Sequence, residues 1–126
     1  MGRSFEYLCL QHALEISRIV GFSAVDFKMG PYFSPGRRGT PGVQVDLVFD
    51  RADDVLTVCE MKYSGKPVGV EVIASMKRKI EILQPLARGK TIQPVLIVRE
   101  PPSQYLLDQA YFYKIIEARD FLKDTP

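Results

Sequence analysis

Two stretches near the middle of the chain alternate apolar and polar residues with a period of two. Over 43–50, Val43, Val45, Leu47 and Phe49 are offset from Gln44, Asp46, Val48 and Asp50, which predicts a strand with the two sets on opposite faces. Over 55–63, Leu56, Val58, Glu60 and Lys62 share a face of a second strand. Ala52, Asp53 and Asp54 between them make a three-residue turn. The pair is then a hairpin in which Asp46 lies opposite Glu60 and Gln44 opposite Lys62. Directly opposed residues place their Cβ atoms about 5 Å apart.

The rest of the pattern surrounds that hairpin. Residues 4–20 read as a helix with Phe5, Leu8, Ala13, Ile16, Ile19 and Val20 as the core stripe and Gly21 as its end. A first strand is predicted over 22–27, and the Gly- and Pro-rich stretch 30–42 is predicted as a loop. After a break at 64–67, residues 70–83 form a second helix. The nearly continuous apolar run 92–98 suits a buried parallel strand. Pro101 and Pro102 precede a short helix at 105–109, a strand at 111–115 and a terminal helical turn. The order α-β-β-β-α-β, with a small tail, makes an α/β domain with a mixed central sheet flanked by helices, a single domain over 1–126.

Composition narrows the class without changing this picture. With 126 residues, 46% hydrophobic and 25% charged, the chain is long enough for one real core. No apolar run approaches a membrane span and no signal-peptide layout opens the chain, so a cytoplasmic protein with no membrane partner is expected. Cys9 and Cys59 sit in apolar contexts and read as small buried residues rather than as a disulfide or metal pair. The net charge of +2 does not by itself indicate a nucleic-acid partner, but its distribution is suggestive. Arg37 and Arg38 fall in the loop, and Lys77, Arg78 and Lys79 cluster on the second helix, where an ordinary solvated face is the alternative. His12, the only histidine, falls near the core stripe and reads as structural. Tyr63 reads as a core residue.

The chemistry concentrates at Asp46 and Glu60-Met61-Lys62. Like charges opposed across a hairpin destabilise it unless they are compensated. The apolar run before Glu60 marks a strand where uncompensated charge is costly. Lys62 is one compensation; a divalent cation shared by the two carboxylates is another, and Mg²⁺ favours such hard oxygen ligands. The bland alternative is a solvated strand end at which the three residues are neighbours by accident.

With that order and those residues the chain resembles the PD-(D/E)XK nuclease superfamily, the restriction-endonuclease-like fold, in which an Asp precedes a (D/E)-x-K triplet on the next strand. Three segments carry the likeness: Gly2-Arg3-Ser4-Phe5-Glu6, then 44–51 (QVDLVFDR), then 59–63 (CEMKY). More narrowly they look like the nuclease-like domain at the C-terminus of certain archaeal and bacterial P-loop ATPases, and more distantly like archaeal Holliday junction resolvases. Val45 stands where proline often precedes the Asp. No P-loop is present: Gly65-Lys66 mimics its end, but Pro67 occupies the hydroxyl position.

The resemblance implies a Mg²⁺-dependent DNA endonuclease, with Mn²⁺ as a substitute, acting in repair, recombination or defence. It makes Asp46, Glu60 and the Met61 carbonyl the metal ligands, Lys62 the residue that positions water or offsets developing charge, and Glu6 a further catalytic acid. Glu6 also reads as an ordinary glutamate near a helix N-terminus. Gln44 is placed to orient Lys62, and Arg37, Arg38, Lys66, Lys77 and Arg78 are placed to contact DNA. A homodimer is expected from the aromatic tail (Tyr105, Tyr111, Phe112, Tyr113, Phe121), whose alternative is packing under the second helix. An ATPase domain or subunit is a further expected partner. The competing functions are a catalytically silent nucleic-acid-binding module and a protein-interaction domain associated with an ATPase.

Overall fold

A five-stranded sheet in the order β1-β2-β3-β4-β5 organises the protein in the computed structural model, which describes residues 8–39, 41–63 and 67–122. A helical turn at 8–11, interrupted at His12, leads into α1 (Ala13–Val20), which Gly21 ends in the left-handed conformation at φ 109°. The strands are β1 (Phe27–Ser34), β2 (Val43–Arg51), β3 (Val55–Lys62), β4 (Thr91–Val98) and β5 (Lys114–Glu117). Helix α2 (Glu71–Leu83) and a 3₁₀ turn (Gln84–Leu86) link β3 to β4. Helix α3 (Gln104–Gln109) precedes β5, and α4 (Arg119–Leu122) follows it. Strands β1 to β3 are antiparallel, whereas β3–β4 and β4–β5 are parallel, giving the expected mixed sheet flanked by helices.

Helix α1 covers one face. Its Ala13, Ile16 and Val20 pack with Phe22 over Leu47, Phe49, Cys59, Met61, Val95 and Ile97. Phe22, Phe27 and Phe49 meet edge to face at 5.1–5.4 Å between ring centres. Both cysteines are buried in this cluster as thiols, and burial pushes the Cys59 thiol well up. His12 lies against Phe121 and pairs with Glu15 at 3.2 Å, the structural role expected of it. On the opposite face α2 sets Met76 and Leu83 over Val43, Val45 and Val58, and Val72 over Leu96 and Val98.

The hairpin closes as predicted, with β2 ending at Arg51, β3 starting at Val55, and Asp54 in the left-handed region at φ 64°. Its far end departs from simple alternation. Gly30 pairs with Val48 but Tyr32 pairs with Val45, so Asp46 and Leu47 together oppose Pro31. This is a β-bulge, and Pro31 lacks the N–H that a regular ladder needs there. The bulge reverses parity: Val43 and Val45 face α2, whereas Leu47 and Phe49 face α1. The four apolar residues therefore do not share a face. The ladder between β2 and β3 stops at Leu47↔Cys59, so Asp46 and Glu60, and likewise Gln44 and Lys62, are not ladder partners.

Other boundaries shift as well. The first strand is not 22–27 but Phe27–Ser34, because Phe22 is needed in the core beneath α1 and the chain turns before Phe27. The first five residues of the predicted loop 30–42 are thus strand, with Gly30 and Pro31 carried on a sheet edge that tolerates both. The last strand is Lys114–Glu117 rather than 111–115, since Tyr111 and Phe112 pack in the cluster under α2. Tyr63 is exposed, with the Arg99 guanidinium 4.9 Å above its ring, and is not a core residue.

Gly42 fixes how the loop returns to β2. A Cβ there would stand 2.8 Å from the Gly36 nitrogen and 2.9 Å from the Ser34 oxygen, both backbone atoms with little room to move. Gly42→Ala is therefore expected to cost about 1–3 kcal/mol of stability, as overpacking does. Denaturant melts beside wild type check this, and an unchanged midpoint would show that the loop yields.

Candidate active site

The start of β2, the end of β3 and the C-terminal half of α2 enclose an open cleft of about 460 Å³, lined by Gln44, Asp46, Glu60, Lys62, Arg78 and Lys79 among others. Each side chain arrives there for a local reason. The bulge turns Asp46 toward β3, where its Oδ2 accepts the Met61 N–H at 3.1 Å. The carboxylate thus takes the place of a ladder carbonyl for an amide past the last paired residue. Glu60 points to the α2 face from a strand paired to β4 along its whole length, Val55↔Thr91 to Lys62↔Val98.

Glu60 is only 4% exposed. Its Oε1 accepts from Lys79 Nζ at 2.7 Å, and its Oε2 lies 3.4 Å from Lys62 Nζ. A buried carboxylate needs this compensation. Asp46 forms no ion pair among the described residues. Burial is the main influence on it and pushes its carboxyl above the usual range. The Met61 amide opposes that rise, the Glu60 charge adds to it, and Lys79 and Lys62 oppose it.

Lys79 is the residue that the sequence left undifferentiated within a basic run. Its signal was its position: Val72, Met76, Lys79 and Leu83 follow a 4-3-4 spacing, and the other three are buried at 2%, 0% and 4%. A lysine in that core stripe must carry its stem over the sheet and deliver its ammonium to an acid. Its neighbours diverge. Arg78 lines the cleft, whereas Lys77 lies 5.5 Å over the Tyr111 ring, outside the cleft lining.

Gln44 lines the cleft, but no hydrogen bond joins it to Lys62 among the described residues, where the partner of Lys62 is Glu60. Arg37 and Arg38 are exposed in the loop before β2. Glu6 and Lys66 lie outside the described residues. A second, more apolar cleft of about 520 Å³ runs beside Met29, Tyr32, Leu56 and Leu86. Its lining carboxylate, Asp50, is paired with Lys90, so the paired acids and lysines belong to the first cleft.

Two acids can serve Mg²⁺, which usually takes one or two carboxylates and keeps several waters. Among the described residues no three acids, histidines or cysteines stand together, so the side-chain ligands available here are Asp46 and Glu60. No helix among those residues is long and apolar enough to cross a membrane.

No protein-family model matches the chain, and no curated protein matches it. Solved structures do. A crystal structure of a protein of unknown function, AF1548, superposes with a TM-score of 0.57 at 18% identity, covering 82% of this chain and 54% of that one. A repair endonuclease from Pyrococcus abyssi superposes with a TM-score of 0.52 at 18% identity, covering 86% of this chain and 44% of that one. The chain spans about half the length of each neighbour. The likeness establishes the fold: a mixed five-stranded sheet flanked by helices, similar to that of a repair endonuclease.

Proposed function

We propose that this chain is a metal-dependent nuclease that hydrolyses phosphodiester bonds in DNA. The observation that carries the reading is the convergence of Asp46, Glu60, Lys62 and Lys79 in one cleft, on a fold similar to that of a repair endonuclease. Asp46, Glu60 and the Met61 carbonyl would hold Mg²⁺, or Mn²⁺ in its place. The bound ion supplies Lewis acidity toward the phosphate and lowers the pKa of a coordinated water.

The protein's own residues supply the rest. Asp46 is oriented by the Met61 amide, so the carboxylate needs no reorganisation to face the cleft. Lys62, with its side chain 41% exposed at the cleft mouth, offsets negative charge developing on the phosphate. Arg78 on the cleft wall, with Arg37 and Arg38 on the adjoining loop, offers bidentate phosphate contacts. Tyr105, Leu107 and Tyr113 are exposed, and this apolar surface supports assembly with a second copy or with an ATPase partner.

The reading is tested with supercoiled, linear and branched DNA in Mg²⁺ or EDTA. Asp46→Asn is expected to abolish metal-dependent cleavage while the fold persists. Its effect on stability has a definite sign. The carboxyl is raised in the folded state, so its stabilising contribution is full below the unfolded pKa of about 3.9 and is lost as pH rises through the raised folded value. The uncharged variant therefore gains on wild type between pH 3 and pH 7 in EDTA. Melting curves showing the variant losing ground over that range would sink this account of the site.

Lys62→Ala is expected to behave differently. Metal affinity persists while turnover falls by about 10²–10³, as when a partner to transition-state charge is lost. Calorimetric titration with Mg²⁺ beside single-turnover cleavage separates the two, and turnover within a few-fold of wild type removes Lys62 from the chemistry.

A further inference from the structure

The two lysines that meet Glu60 are not equivalent. Lys62 reaches in from the cleft mouth, 3.4 Å from Oε2, with its side chain 41% exposed. Lys79 is hydrogen-bonded to Oε1 at 2.7 Å, with its side chain 22% exposed and its stem in the apolar stripe of α2. With Asp46 and Glu60 ionised, the two ammonium groups balance the two acids, and the Arg78 guanidinium on the cleft wall adds a further positive charge. Glu60 is compensated by the protein's own cations.

We propose that Lys79 is a built-in counter-ion to Glu60 that competes with the divalent cation for the same carboxylate. It holds the buried acid compensated in the metal-free protein and is displaced from Oε1 when metal binds. The proposal rests on the nuclease reading only in assigning Glu60 to a metal.

The geometry supports competition rather than coexistence. A carboxylate oxygen that accepts a charge-assisted hydrogen bond at 2.7 Å has its charge already engaged. An ammonium and a divalent cation on one carboxylate would stand about 4 Å apart and repel strongly where water is partly excluded. The lysine stem is long and flexible, so its ammonium can swing away without moving α2. Asp46 sets the contrast. Its Oδ2 is held by a neutral backbone amide, which a cation does not need to displace, and its Oδ1 takes no hydrogen bond among the described residues. Lys62 is half exposed and can stay at the cleft mouth. Lys79 is therefore the group whose position metal binding changes most.

Calorimetric titration of Mg²⁺ into wild type, Lys79→Met, Lys79→Arg and Asp46→Asn tests this, with melting curves in EDTA and in Mg²⁺. Methionine keeps the helix propensity and most of the stem packing. Lys79→Met is expected to bind Mg²⁺ about ten-fold or more tightly than wild type. It should also melt lower in EDTA and gain more from Mg²⁺, whereas Lys79→Arg, which keeps the charge, stays near wild type. Equal or weaker affinity in Lys79→Met, with wild-type binding lost in Asp46→Asn, overturns the counter-ion and leaves the metal site standing. Absence of Mg²⁺ binding in every variant overturns both. Where Lys79→Met does not fold, the Nζ resonance of Lys79 in ¹⁵N-labelled wild type gives the answer. It must shift on saturation with Mg²⁺ and stay still in Asp46→Asn, and a resonance unmoved in the metal-bound protein overturns the proposal.

Discussion

A missing hydrogen sets the geometry of the cleft. Pro31 on the edge strand β1 has no N–H to offer β2, and at that point two residues, Asp46 and Leu47, stand against one. The consequences spread in both directions. Before the bulge, Val43 and Val45 face α2; after it, Leu47 and Phe49 face α1. One strand thereby feeds both cores. The residue at the reversal faces neither, and its carboxylate lies along the sheet against the Met61 amide. Bulges recur beside functional sites because they re-aim one side chain without dissolving the strand.

The second constraint is the cost of placing a carboxylate in the layer between sheet and helix. Glu60 is buried almost as deeply as its apolar neighbours on β3, and its charge persists there only with a partner in contact. Helix α2 meets that need by placing Lys79 where its 4-3-4 spacing would otherwise carry a fourth apolar residue. A position that would add to the core adds instead to a polar network, and the fold gives up apolar contact for it. Such exchanges concentrate at functional sites, where local rules and global packing disagree. A second network at the other end of the hairpin shows the structural version of the same device. Arg51 bonds Asp53, Thr57 and Gln93 and stacks 4.3 Å from the Phe22 ring, closing the turn.

The legibility of these features in the sequence follows from their physics. The three-residue turn, the apolar run of β4 and the helix over 71–83 depend on local patterns, and the sequence shows them with boundaries a residue or so off. The bulge was hidden by its own result. Val43, Val45, Leu47 and Phe49 are all buried, so their spacing mimics one buried face although they serve two. Strand β1 was hidden by Gly30 and Pro31, which read as loop residues but sit on a sheet edge that accepts them. Proximity of Asp46 to Glu60 was legible from hairpin register, but its means was not, since the ladder stops before either residue. By composition Lys79 is one charge in a basic run, and only helical phase sets it apart from Lys77 and Arg78.

The asymmetry of β3 explains why the chemistry collects at its end. Toward β4 the strand is paired through to Lys62, and the next amide, Arg99, still bonds the Lys62 carbonyl at 3.2 Å. Toward β2 pairing ends at Cys59, leaving Glu60, Met61 and Lys62 with one fixed side and one open side. Backbone groups on the open side need partners, and Asp46 supplies one of them. Side chains there gain room for a ligand while their Cα atoms stay anchored by the parallel ladder. A site on a fully paired strand would be rigid but closed, and a site on a loop would be open but loosely placed. A strand that loses one neighbour three residues before the other combines rigidity with access, which is what a reaction that depends on sub-ångström positioning requires.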